Sequence, residues 1–180
     1  HRFKFQLEKS KIVTKYCLNP DFSWATIKID KIINKYFGDE FVLIFPFCSP
    51  QLSHKKWPYF NELINIIKTK HDYLEIATAP GPNELEEAKK IKSLLILNDK
   101  EPLNIMELTA LISKAKYIIA NDTGPAHMAA HLGKKGVVIF GHHTTPKKVS
   151  IETNNFKAIT VDNLNNLTAE KVYSEIKDNL

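Results

Sequence analysis

From Phe41 onward the sequence alternates short, mainly apolar runs with longer stretches whose apolar residues recur at three- and four-residue spacing. Phe41-Val42-Leu43-Ile44-Phe45 is the clearest run, bounded by Asp39-Glu40 and by Pro46. A run this short with no polar face is the mark of a strand buried on both sides. Comparable runs recur at Tyr73–Ala77, Leu94–Leu97, Tyr117–Ala120, Val137–Phe140 and Phe156–Val161. Between them the spacing predicts helices. One spans Pro58–Lys70, with Leu63, Ile66 and Ile67 on one face, and one starts at Asn83, with Glu86 at the capping-box position, and runs to about Lys92. A third spans Ile105–Ala115 behind an Asn104/Glu107 box, a fourth spans Pro125–Leu132 with proline at its first position and Gly133 just past its end, and Thr168–Asn179 closes the chain. Strand and helix alternating over about 140 residues imply βαβ crossovers. The expected fold class is α/β: a single doubly wound, Rossmann-like parallel sheet with helices on both faces.

Residues 1–38 lie outside that alternation and are expected to form a basic N-terminal extension ahead of a domain over residues 39–180. Within it, Ile29, Ile32, Ile33 and Tyr36 share one helical face in a segment from Thr26 to Phe37, which Gly38 stops; the stretch before it, around Pro20, reads as linker. The chain carries 25 basic and 20 acidic residues, a net charge of +5. That balance is uneven: residues 1–36 hold eight cations and three anions, so the remaining residues carry 17 of each sign and sum to zero. Arg2 is the sole arginine among the 25 cations. Base and phosphate readout favours the arginine fork, so nucleic acid is not an expected partner. Cys17 and Cys48 are too few for a disulfide framework, and no apolar run approaches the roughly 20 residues of a membrane span. The expected setting is the cytoplasm, with the basic strip facing an anionic membrane surface or a separate domain.

Open parallel sheets bind ligands beyond the carboxyl ends of their strands, where the strand order reverses. For the order 3-2-1-4-5-6 the reversal lies between the first and fourth strands. The unusual residues follow those two strands: Cys48–Pro58 (CSPQLSHKKWP) and Asn121–His127 (NDTGPAH). In the latter a strand ends, a small turn follows and a helix starts at once. The uncommitted N–H groups of the first helical turn favour an anion there, and Gly124 lets a phosphate approach the backbone. The Thr123 hydroxyl adds a donor, Pro125 fixes the helix start, and Asp122 accepts from sugar hydroxyls or orients the loop. A plain Gly-Pro turn capped by Thr123 is the structural alternative.

NDTGPAHMAAHLGKKGVVIFG resembles the signature of the glycosyltransferase family that includes the bacterial lipopolysaccharide heptosyltransferases. Lys55-Lys56-Trp57-Pro58, Pro82-Asn83-Glu84 and the Leu103–Ile112 segment match further landmarks in order, so that the resemblance covers about Phe41 to Gly141. It implies a GT-B fold of two Rossmann-like domains, of which these landmarks belong to the C-terminal, donor-binding half. It also implies roles. Thr123, Gly124 and the backbone at Pro125 would hold a donor diphosphate, and Lys55, more than Lys56, would neutralise a phosphate. Glu84 would bind the ribose, Asp122 would touch the transferred sugar, and His127 would support that loop or its phosphate. Read locally, Lys55 is a solvated loop lysine and Glu84 a carboxylate complementing a helix N-terminus.

Two stretches depart from the family pattern: Gly141-His142-His143-Thr144-Thr145-Pro146 stands where a Gly-Pro-Thr-like turn is usual, and Phe47-Cys48-Ser49-Pro50 lacks the usual glycine. The implied function is the donor-binding part of an inverting glycosyltransferase using a nucleotide-diphosphate sugar of the ADP-heptose kind, with a lipopolysaccharide-type acceptor bound by a separate domain or chain that also supplies the general base. No catalytic residue is assigned within the chain. A non-catalytic module that folds and binds nucleotide, and a nucleotide-sugar epimerase of similar architecture, are the alternatives. No cofactor or metal is expected: His127 and His131 sit four apart but lack the glutamate of an HExxH site. His142-His143 read as a solvated loop, Cys48 as a buried structural thiol, and Trp57 as a helix-entry core residue.

Overall fold

The structure is a computed structural model that describes residues 2–15, 22–25 and 27–180; Cys17, Pro20 and Thr26 lie outside the described residues. Six strands form one parallel sheet: β1 (Phe41–Phe45), β2 (Glu75–Thr78), β3 (Leu94–Leu95), β4 (Tyr117–Asn121), β5 (Gly136–Phe140) and β6 (Phe156–Thr160). Their order is β3-β2-β1-β4-β5-β6, as the switch-point argument requires. β1 pairs with β2 on one side (Leu43 opposite Ala77) and with β4 on the other (Leu43 opposite Ile118). All five residues of β1, β4 and β5 are buried, which is why these strands show no alternation in the sequence.

The strand residues divide the core into two layers. Leu43, Phe45, Ile118, Ala120, Val138 and Phe140 face a cluster with Leu111 and Ala126 from helices α5 (Ile105–Lys114) and α6 (Gly124–His131). Val42, Ile44, Ile119, Val137 and Ile139 face the other way, against Leu63 and Ile67 of α3 (Phe60–Lys70) and Val172 and Ile176 of α8 (Ala169–Ile176). Helices thus cover both faces. Ahead of the sheet lie α1 (Arg2–Lys9) and α2 (Asp30–Tyr36). Ile29, Ile32 and Phe37 are buried in the α5–α6 layer, and the Phe37 ring stacks on Phe41 at 3.8 Å. The apolar face that the sequence places on this segment is therefore a contact with the sheet layer, while the helix itself starts at Asp30 instead of Thr26. Among the described residues no helix is long and apolar enough to cross a membrane.

Helix ends follow local chemistry. Asn104 Oδ1 accepts the N–H groups of Met106 and Glu107 at 3.0 Å each, and Glu107 Oε2 accepts the Asn104 N–H at 2.9 Å, completing the expected box on α5. Gly133, at φ +68°, ends α6 in the left-handed conformation that glycine adopts without strain. The start of the helix after β2 differs from expectation. The reciprocal box joins Gly81 and Glu84: Glu84 Oε2 accepts the Gly81 N–H at 2.8 Å and Gly81 O accepts the Glu84 N–H at 3.0 Å. Pro82, fixed at a helix-compatible φ, starts the turn one residue before Asn83, so Asn83 falls inside a 3-10 turn. Glu86 turns outward to Lys89, and α4 spans only Leu85–Ala88. A short helix, α7 (Pro146–Val149), capped by Thr145, follows β5.

Candidate functional site at the carboxyl edge of the sheet

The crevice forms where β1 and β4 part company. The loop after β1 runs through a 3-10 segment, Pro50–Lys55, before Trp57 enters the core. Trp57 is 1% exposed and its Nε1–H donates to Leu167 O at 2.8 Å, which anchors the end of that loop. Opposite it, β4 ends on Asn121 and α6 begins at Gly124, leaving Asp122 and Thr123 to make the whole turn.

A cavity of about 290 Å³ lies between them, walled by Phe45, Cys48, Gly81, Glu84, Leu108, Thr123, Gly124 and Pro125 among others. A second cavity of about 400 Å³ shares Cys48, Ser49, Gly81 and Glu84 with it and adds Ser53, Lys56, Asn83 and Glu87. The start of α6 and Glu84 therefore border one space. Thr123 occupies the N-cap position of α6 but makes no side-chain cap bond, and its buried Oγ1 has no hydrogen-bond partner among the described residues. A simple threonine-capped turn would have satisfied that hydroxyl, and buried hydroxyls are seldom left unpaired.

The remaining residues singled out from the sequence form a connected polar group. Asp122, whose side chain is 5% exposed, receives Lys55 Nζ on Oδ2 at 2.7 Å, and His127 Nε2 stands 3.6 Å from its Oδ1. His143 Nε2 reaches the same Oδ2 at 3.2 Å. Burial pushes the Asp122 carboxyl upward, but the surrounding His127, Lys55 and His143 outweigh it and hold the group well below the usual carboxylate range. Asp122 is thus an ionised side chain fixed on several sides. Lys55 is held by Asp122 instead of standing free in solvent, and Lys56 pairs with Glu87.

Several expectations need correction. His143 does not lie in a solvated loop: its side chain is 5% exposed and bonded to Asp122, while His142 is exposed as expected. β5 is the neighbour of β4, so the segment after it comes beside the Asp122 turn, and that adjacency was the available signal for His143. Cys48 is half-buried instead of buried; it lines both cavities, its Sγ donates to Leu52 O at 3.2 Å, and burial pushes its thiol up. Asn121, to which the sequence assigns no role of its own, is buried, and its amide holds both ends of the loop after β1. Among the described residues no group of three or more His, Cys, Asp and Glu side chains is placed to hold a metal ion.

A doubly wound parallel sheet with helices on both faces and a cavity at its switch point is the architecture of an α/β domain of the Rossmann-like class. The model of glycosyltransferase family 9 (heptosyltransferase) matches residues 5–177, and the chain belongs to that family. The lipopolysaccharide core heptosyltransferase OpsX of Haemophilus influenzae is 31% identical over 119 residues, 59% of this chain and 34% of OpsX. Among solved structures, the E. coli heptosyltransferase WaaC with ADP-2-deoxy-2-fluoro heptose superposes with a TM-score of 0.67 at 20% identity, over 89% of this chain and 49% of that one. The E. coli ADP-heptose lipopolysaccharide heptosyltransferase II gives a TM-score of 0.68 at 15% identity, over 86% and 53%. At those identities the two structures share the fold with this chain. The chain spans about half the length of these solved structures and about a third of OpsX.

Proposed function

We propose that this chain is the donor-binding half of a GT-B glycosyltransferase, which moves a sugar of the heptose class from a nucleoside-diphosphate sugar of the ADP-heptose kind to a lipopolysaccharide-type acceptor. The observation that carries this reading is the shared cavity between Glu84 and the start of α6 at Thr123-Gly124-Pro125. Family membership supports the reaction class, and the nucleotide in the WaaC structures supports the choice of ADP as first ligand.

In the proposed reaction the acceptor hydroxyl oxygen bonds to the anomeric carbon as the bond from that carbon to the diphosphate breaks. The configuration inverts, and the nucleoside diphosphate leaves with the electron pair. The acceptor proton passes to a base contributed from outside this chain. What these residues supply is stabilisation of the negative charge that grows on the leaving diphosphate. The Gly124 N–H at the start of α6 and the Thr123 hydroxyl are preorganised donors, Lys55 brings the positive charge, and Glu84 accepts from ribose hydroxyls. Asp122, supported by His127, faces the transferred sugar. Residues 1–38 act as a basic extension to the domain over 39–180, apposed to the cytoplasmic face of an anionic membrane or to the acceptor-binding part.

Isothermal titration with ADP and with an ADP-sugar tests this reading. Saturable binding that weakens in a Thr123→Val/Lys55→Ala double variant is expected. No binding at millimolar ligand, or equal binding by the variant, overturns it.

A further inference from the structure

Asp122 Oδ2 carries two donors at once. Lys55 Nζ lies at 2.7 Å and His143 Nε2 at 3.2 Å, whereas among the described residues Oδ1 is approached only by His127, at 3.6 Å, beyond good hydrogen-bond reach. The two donors on Oδ2 differ in kind. Lys55 sits on a flexible stem at the end of a 3-10 segment, its side chain 19% exposed. The His143 side chain is 5% exposed, and its ring is stacked on Phe140 at 5.9 Å and set edge-on to His54 at 5.6 Å. One partner is a long side chain partly open to solvent and the other is enclosed between rings.

The tautomer of His143 follows from its surroundings. An ionised carboxylate only accepts, so Nε2 bears the proton facing Asp122. Nδ1 is buried, has no partner among the described residues and abuts Gly141, where an added Cβ would lie 3.5 Å away. A second proton there would be an unmatched buried N–H, so His143 acts as a neutral Nε2–H donor.

On the reading that this crevice takes a donor diphosphate, we propose that His143 is the positioning residue that holds Asp122 in place while Lys55 leaves it for the phosphates. Lys55 cannot serve both anions in full. Moving it towards the ligand removes the shortest bond to a buried carboxylate, which is unfavourable when nothing replaces it. The clamped imidazole keeps Oδ2 bonded through the exchange, so the charge of Lys55 is released without setting Asp122 adrift. His143 touches neither the nucleotide nor the sugar in this scheme and acts only through Asp122.

A double-mutant cycle on ADP binding by the whole chain tests the proposal, with thermal melts confirming that each variant folds. His143→Leu removes the donor and is expected to weaken ADP binding about tenfold. His143→Gln carries an N–H at the position of Nε2 and is expected to restore affinity to within about threefold of wild type. In a Lys55→Ala background, His143→Leu is expected to cost nothing further, because there is no lysine left to release. If His143→Leu does not fold, His143→Asn, whose amide is too short to reach Asp122, takes its place in the cycle. Wild-type affinity in His143→Leu, failure of the glutamine to rescue, or an equal loss with and without Lys55 overturns the positioning role alone. Absence of ADP binding by the wild-type chain overturns the donor-site reading and this role together.

Discussion

The side-chain amide of Asn121 accepts the backbone N–H of Trp57 on Oδ1 at 3.1 Å, and its Nδ2 donates to Pro46 O at 2.8 Å. The last residue of β4 is thereby tied to both ends of the loop that follows β1. The crevice has a fixed mouth because one fully buried amide satisfies a donor on one side and an acceptor on the other.

Truncating that amide leaves two buried backbone groups unpaired, each costing about 1–3 kcal/mol. Asn121→Ala is expected to lower the unfolding free energy by about 3 kcal/mol, a large share of a typical domain's stability. Asn121→Asp keeps the acceptor for Trp57 but sets an oxygen against Pro46 O, so it is expected to be no better. Urea unfolding followed by the two tryptophans measures both.

Asp122 and Lys55 form a pair that is neither exposed nor fully enclosed, with side chains 5% and 19% exposed. Exposed pairs contribute about 0–1 kcal/mol, and breaking a buried one costs about 3–5 kcal/mol. Lys55→Met is expected to fall between, at about 2 kcal/mol. The sign with pH follows from the lowered carboxyl value. Stability from Asp122 is present above the unfolded carboxylate value of about 4 and is lost as pH falls through the lower folded value. The Asp122 carboxyl carbon is therefore expected to titrate by NMR below the range of an ordinary carboxylate, and the acid-unfolding midpoint of Lys55→Met is expected to lie at higher pH than that of wild type.

His143 costs stability in the same direction, on acidification, but at higher pH. Burial first, then the charges of Lys55 and His54, hold its imidazole below the ordinary value despite the carboxylate beside it. A histidine kept neutral in the fold binds fewer protons than the unfolded chain as pH drops through about 6.5, so stability falls there on acidification and is flat above it. The wild-type Tm is expected to drop from pH 7.5 to pH 5.5 more than that of His143→Gln. His131, also lowered by burial and by His127, retains part of the slope in both proteins.

The sheet was legible because its central strands are buried on both faces, which prints uninterrupted runs such as Phe41–Phe45. The switch point was legible because its two loops carry residues that neither a strand nor a helix interior favours. Other features depend on contacts that sequence spacing does not encode. His143 meets Asp122 across 21 residues, and whether a loop histidine faces solvent or a carboxylate is decided by the neighbouring strand. The cap after β2 was displaced because glutamates stand three residues after both Gly81 and Asn83, and Pro82 decides between the two frames.

Glu84 offers a way to separate scaffold from ligand contact, since its Oε2 already accepts the Gly81 N–H at 2.8 Å. Glu84→Gln keeps an acceptor for that N–H and is expected to unfold within about 0.5 kcal/mol of wild type, whereas Glu84→Ala loses the cap at a cost of about 1 kcal/mol. Both are expected to bind ADP more weakly if the carboxylate accepts from ribose hydroxyls. An ADP affinity that falls only in Glu84→Ala would make the residue a cap and nothing more.

Gly124 gives the sharpest division between folding and binding. A Cβ built there meets no atom within 4 Å, so the fold itself does not require glycine at this position. Gly124→Ala is expected to leave stability unchanged or raise it by up to about 1 kcal/mol, because alanine favours the helical backbone and restricts the unfolded chain. The methyl would instead stand in the cavity in front of the first turn of α6, where the diphosphate is proposed to approach the backbone. ADP binding is accordingly expected to weaken about tenfold or more, and Gly124→Ser to behave alike. Thermal melts and titrations on the same samples read both quantities, and an alanine variant that binds ADP as wild type does would move the phosphates away from α6.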